Sequence, residues 1–168
     1  MSAADDTHEV FNQSPPFAGV NLFHSDPGLG ALVEGLPRAV IERLAGLGEA
    51  VGSRESFELG RLANVSPPVL RTHDPTGVRI DVVEFNPAYH ALMRRSVAAG
   101  LHASVWDATG PEASVRTVAR AAGLYMTAQV ECGHICPMTM TSASVAALAH
   151  APDLASVWLP KIRTRHND

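Results

Sequence analysis

The chain has 168 residues, 46% hydrophobic and 18% charged, which fits one globular domain and excludes a disordered chain. Thirteen basic against seventeen acidic residues give a net charge of −4. With a single lysine, Lys161, and arginines dispersed along the sequence, no clustered basic footprint marks a nucleic-acid or anionic-membrane surface.

Residues 1–10 read as a polar tail, too acidic at Met1-Ser-Ala-Ala-Asp-Asp-Thr-His8 for a signal peptide. No run of about 18 or more apolar residues follows, so nothing is expected to span a membrane. Residues 11–25 carry Pro15-Pro16, Gly19 and Asn21 and read as an extended arm. Its Phe11, Phe17, Leu22 and Phe23 need a partner surface. Asp26-Pro27 is a helix start, a capping carboxylate followed by proline at the first helical position. Val40, Leu44, Leu47 and Val51 recur at helical spacing. Ser53 caps a further helix that stops at Pro67-Pro68.

Residues 70–86 change period. Asp74-Pro-Thr-Gly77 is a turn signal, and Val78, Ile80 and Val82 alternate with polar residues, which predicts a short hairpin. Asn86-Pro87 restarts a helix that Gly100 ends. The longest helix is expected over about residues 111–131, with a seam of Val115, Val118, Ala119, Ala122, Met126 and Val130. Ala121, Leu124, Tyr125 and Ala128 leave it little polar face, so burial on more than one side is expected. A similar apolar helix is predicted over 138–150, and Asp153 opens a last one through about Ile162. The fold class is an all-α helical bundle with an extended N-terminal arm and one hairpin-like excursion, the helical domain covering residues 11–163.

The densest chemistry lies at the junction Gln129-Val-Glu-Cys-Gly-His-Ile-Cys-Pro-Met-Thr-Met-Thr141. It holds both cysteines of the chain, which are too few for a disulfide scaffold and point to a reducing, cytoplasmic location. Cys132, His134 and Cys136 offer three soft ligands, but a structural zinc site needs a fourth, from His102 or His90. A small zinc-binding protein is therefore one alternative, and buried thiols beside a helix corner are the plainer expectation. A catalytic cysteine is weaker still, because proximity of His134 in sequence does not create a thiolate. Gly28-Leu-Gly30 is no phosphate loop. Glu55 with Glu58, and Asp81 with Glu84, read as a solvated helix face and a loop edge. No complete catalytic constellation emerges.

The ordered words His8-Glu-Val-Phe-Asn-Gln13, Asn21-Leu-Phe23, Glu58-Leu-Gly-Arg-Leu-Ala-Asn-Val65, Phe85-Asn-Pro-Ala-Tyr-His90, Ala128-Gln-Val-Glu131 and Ile135-Cys-Pro-Met-Thr-Met-Thr141 carry a family resemblance. Together they resemble the N-terminal domain of the adaptive-response, AidB-like branch of the acyl-CoA dehydrogenase superfamily, over about residues 8–162. That resemblance implies a helical first domain of a tetrameric FAD flavoprotein linked to protection from DNA alkylation. A β-domain and a C-terminal helical domain would be its partners within the same chain. It also implies that Cys136, Met138, Thr139, Met140 and Thr141 line the flavin-and-substrate cavity without acting as catalysts. The flavin-holding segment, of the form Met-Thr-Glu-x-x-Gly-Gly-Ser-Asp, has no counterpart in these 168 residues. Residues 164–168 are accordingly expected to be a truncated linker to the β-domain, and no FAD is expected on this segment alone. The competing expectation is a standalone helical interaction module without catalysis.

Overall fold

The computed structural model describes residues 11–167; the tail reading of residues 1–10 and Asp168 lie outside the described residues. Helix α1 (Pro27–Val33) starts where Asp26 accepts from the Leu29 N–H at 2.9 Å. Helices α2 (Arg38–Val51) and α3 (Arg54–Val65) follow, with Ser53 capping α3 by accepting from the Ser56 N–H at 3.2 Å. Strands β1 (Val69–His73) and β2 (Arg79–Glu84) pair antiparallel, Val69 opposite Glu84 and Leu70 opposite Val83. Asn86 caps α4 (Pro87–Ala98), accepting from the Ala88 N–H at 2.9 Å. A 3-10 turn at Ser104–Trp106, then α5 (Ala113–Ala128), α6 (Ile135–Leu148) and α7 (Pro152–Ile162), complete the order. Helix α3 packs on α4, α2 on α5 and α6 on α7, which bears out the all-α reading with its one hairpin.

Two boundaries differ from expectation, both at the Cys-rich junction. Helix α5 ends at Ala128, not near 131, because residues 129–134 turn to bring the Glu131 carboxylate against the backbone. Helix α6 begins at Ile135, not 138. Pro137 sits in its first turn, where a missing N–H costs no helical hydrogen bond.

The arm is held by two glycines, Gly48 within α2 and Gly52 at its end. They lie one turn apart, and their bare backbone admits residues 19–23. The Gly19 N–H donates to Gly52 O at 2.8 Å and the Leu22 N–H to Gly48 O at 3.1 Å. The Asn21 side chain adds a bond to Ala45 O at 2.9 Å. A Cβ on Gly48 would lie 2.6 Å from the Phe23 nitrogen, and one on Gly52 would strike the Val20 carbonyl. This close approach drives Leu22 and Phe23 into the core with Leu29, Val33, Val40, Leu44, Ala119, Ala122 and Met126. Burial of each large side chain is worth about 1.5–3 kcal/mol. Phe11 and Phe17, expected to need a partner surface, stand exposed.

The hairpin contradicts the half-burial its alternation suggests. Both faces are open, and Val69, Leu70, Val78, Val82 and Val83 are all exposed. None of the described helices covers it. Its turn is closed locally, with Asp74 Oδ1 accepting from the N–H groups of Thr76 and Val78. Helix α5 likewise leaves Val118, Ala121 and Tyr125 exposed, so it is buried on one side and not all round.

Gly52→Ala is expected to lower the unfolding free energy by about 1–3 kcal/mol through overpacking. Gly46→Ala in α2 meets nothing within 4 Å and should raise stability by about 0.5–1 kcal/mol. Urea unfolding of the two variants checks the pair.

Candidate functional site

The junction between α5 and α6 folds around one acid. Glu131 is 6% exposed and His134 is 0% exposed, so two polar side chains enter the interior together. Oε2 of Glu131 accepts from the His134 N–H at 2.8 Å and from its Nδ1 at 2.7 Å, while Oε1 accepts from the Gly133 N–H. Nε2 of His134 lies 2.9 Å from the Ser96 hydroxyl of α4, within hydrogen-bond distance. Burial pushes the Glu131 carboxyl up, but the hydrogen bonds from His134 and Gly133 outweigh it and hold the group below its ordinary value. Each polar atom is spent on a partner, which is what the interior demands.

The order serine, histidine, acid is that of a nucleophile relay. Here Ser96 lies inside α4 at 3% exposure, and the geometry acts as a clamp of α4 onto the junction. The same arrangement bears on the zinc alternative. Both ring nitrogens of His134 are engaged inward, whereas Cys132 and Cys136 are exposed. Among the described residues no three His, Cys, Asp or Glu side chains converge as metal ligands. The buried-thiol expectation is corrected as well: both thiols are exposed, and Cys132 Sγ bonds only Ala128 O, at 3.1 Å. Sequence reasoning noticed the cysteines and missed the acid. The signal was there, since Glu131 followed three residues later by His134 is a local acid–histidine pair.

The clamp separates two clefts. One, about 630 Å³, runs between α2, α3, α4 and α5, with Leu47, Val51, Leu92, Thr127 and Val130 above Ser96 and His134. Arg95 stands at its edge, paired with Glu55 at 2.7 Å and donating to Ser56 Oγ at 2.8 Å. The other, about 380 Å³, is lined by Pro68, Phe85, Tyr89, Glu131 and Gly133. Phe85 and Tyr89 stack there with centroids 4.6 Å apart. Desolvation, then the negative groups at Glu131 and Cys136, raise the Tyr89 phenol above its ordinary value.

The five expected lining residues divide between the two sides of α6. Cys136, Thr139 and Met140 are exposed, Met140 at 64%, on one stripe. Met138 is buried and Thr141 half-buried, facing Val97 and His102 across a cavity of about 150 Å³. Burial lowers the His102 imidazole below its ordinary value, and its Nε2 donates to Thr164 O at 2.9 Å. Glu58 pairs with Arg61 and Glu84 with Arg71 on the surface, as a solvated face and an edge should. No helix among the described residues is long and apolar enough to cross a membrane.

A helical layer with one projecting hairpin and an uncharged helix beside a clamped acid can be compared with known proteins. The sequence matches the family described as adaptive response protein AidB N-terminal domain over residues 12–168. It is 43% identical over 146 residues to the putative acyl-CoA dehydrogenase AidB of Escherichia coli (strain K12); the match covers 84% of this chain and 26% of that one. The fold superposes on the apo form of Bd2924 with TM-score 0.82 at 27% identity, covering 94% of this chain and 32% of that one. It also superposes on Caenorhabditis elegans ACDH-11, in complex with C11-CoA, with TM-score 0.74 at 23% identity, covering 99% of this chain and 30% of that one. The chain belongs to the AidB N-terminal domain family. It spans about a quarter to a third of the length of these relatives.

A carboxylate held below its ordinary value of 4.5 contributes stability that is present above that value and lost as pH falls through the depressed one. Acid unfolding followed by circular dichroism should therefore steepen below about pH 4.5. Glu131→Gln should be less stable at neutral pH and show a flatter acid limb.

Proposed function

We propose that this domain forms one wall of the flavin-and-substrate cavity in a larger AidB-like flavoprotein and contributes to its assembly, without catalysing on its own. The observation that carries the reading is the outer face of α6. From Ile135 to Leu148 the helix has no Asp, Glu, Lys or Arg, yet it exposes Cys136, Thr139, Met140, Ala143, Ala146 and Ala147. A helix facing water normally charges its open side; an uncharged stripe of small and soft residues suits contact with an aromatic ring system or an acyl chain. Cys136, Thr139 and Met140 would touch that cavity, while Met138 and Thr141 set the helix from behind.

FAD, when bound by the longer protein, would supply the acceptor for a hydride from an acyl thioester, the ligand class seen with ACDH-11. The residues here would exclude water and shape the acyl pocket. Assembly has its own support. The bare hairpin and the exposed groove of about 850 Å³ between α1 and α5, lined by Leu29, Leu32, Val118 and Tyr125, are apolar surfaces that a neighbouring domain or subunit would cover.

Thiol labelling tests the wall. In the 168-residue chain both cysteines should react readily with an aromatic disulfide reagent. In the longer flavoprotein Cys136 should become protected, and more so with an acyl-CoA present, as judged by labelling of the Cys132→Ser variant. Equal reactivity of Cys136 in every state would overturn the placement. The isolated chain should purify colourless and bind a hydrophobic dye; a yellow preparation with stoichiometric flavin would contradict the division of labour.

A further inference from the structure

Four arginines far apart in sequence meet at a further cleft, lined by α2, α5 and the segments that follow α4 and α7. Arg43 comes from α2, Arg116 and Arg120 from α5, and Arg165 from the segment after α7. They are four of the thirteen Lys and Arg residues in a chain of net charge −4, gathered around one cavity of about 430 Å³. Asp107 is the one carboxylate lining it, and it pairs with Arg165 at 2.7 Å. Of the eight arginines elsewhere, five are ion-paired among the described residues. Arg38, Arg61, Arg71, Arg79 and Arg95 each stand against a carboxylate at 2.9 Å or less.

We propose that this arginine cleft binds a phosphate-bearing small molecule, the guanidinium groups taking the phosphate and the apolar floor of Leu44, Leu47 and Leu101 taking the organic body. Three features support it. First, Arg116 and Arg120 are fixed before any ligand arrives. Arg116 donates to the carbonyls of Val105 and Pro111 and Arg120 to that of Leu101, which holds each side chain in place by its neutral contacts and leaves its charge unbalanced. Second, Nη2 of Arg120 and Nη1 of Arg165 are buried without a hydrogen-bond partner among the described residues, and burial lowers the Arg120 guanidinium below its ordinary value. Uncompensated cationic donors of this kind cost stability unless an anion approaches them. Third, Arg165 lies against Gly100, a residue at φ +78°, where any Cβ would collide with the guanidinium. The glycine thus leaves room for the Arg165 guanidinium. Guanidinium forks match phosphate oxygens in pairs, and a phosphate monoester carries about −1.5 to −2 charges, enough to offset most of the surplus. The volume suits a nucleotide-sized body more than a bare ion.

Calorimetry and thermal unfolding of the chain with inorganic pyrophosphate, AMP and citrate test the assignment. AMP and pyrophosphate should bind with Kd below about 1 mM at roughly 0.15 M salt and raise Tm, with citrate at least about ten-fold weaker. Arg43→Gln, on an exposed side chain with no structural bond to lose, should weaken AMP about ten-fold with no change in the unliganded Tm. Arg120→Gln should abolish binding if it folds, and Arg38→Gln, outside the cleft, should change nothing. Three results would overturn the site: no binding, citrate as tight as pyrophosphate, or an Arg43→Gln variant that binds AMP as the parent does.

Discussion

A buried carboxylate needs compensation, and the junction between α5 and α6 is built to give it. Glu131 can enter the interior only if N–H groups are placed to meet it, and the turn of residues 129–134 supplies those of Gly133 and His134. The side chain of His134 then passes the connection to Ser96 in α4. One acid therefore fixes where α5 stops, where α6 starts and how α4 sits against both. Removing Glu131 or Ser96 would leave a ring nitrogen of His134 buried and unpaired, which is why such networks behave as units.

From that fixed corner the orientation of α6 follows. Its inward side holds Met138, Ser142 and Val145, and the Trp106 indole donates to Ser142 O at 2.9 Å. The outer stripe is left with Cys136, Thr139, Met140 and alanines, none of them charged. Two separate chemistries thus share the domain. The α6 stripe is apolar and neutral, and the arginine cleft is polar and cationic. Helix α5 reaches both regions, its Thr127 end beside the clamp and its Arg116 and Arg120 at the cleft.

The helices were legible because their starts are written in local chemistry: Asp26-Pro27, Ser53 and Asn86-Pro87 each cap the helix that follows. The hairpin was legible from Asp74 and Gly77 and the alternating valines. Its exposure was not, because period two reports a strand and says nothing about which surfaces exist to cover it. The helix ends at 128 and 135 were misplaced because Glu131 and Pro137 act through tertiary and first-turn effects that apolar periodicity does not record. At the site, the cysteines drew attention as residue types, whereas the structural weight rests on Glu131 and His134. The arginine cleft was invisible for another reason. Positions 43, 116, 120 and 165 look dispersed along a line, and the packing of α2 against α5, with the return of the segment after α7, brings them to one place.

The segment after α7 closes over residues about 60 positions earlier: Thr164 receives the bond from His102, and Arg165 reaches Asp107 and Gly100. During synthesis this seals the domain late. Until residue 165 has left the ribosome, the 100–107 turn lacks its cover, and the early helices must wait with that flank open. The hairpin, formed by near neighbours, closes long before. A nascent chain of this domain therefore exposes the hairpin strands before the segment that covers the 100–107 turn has been made.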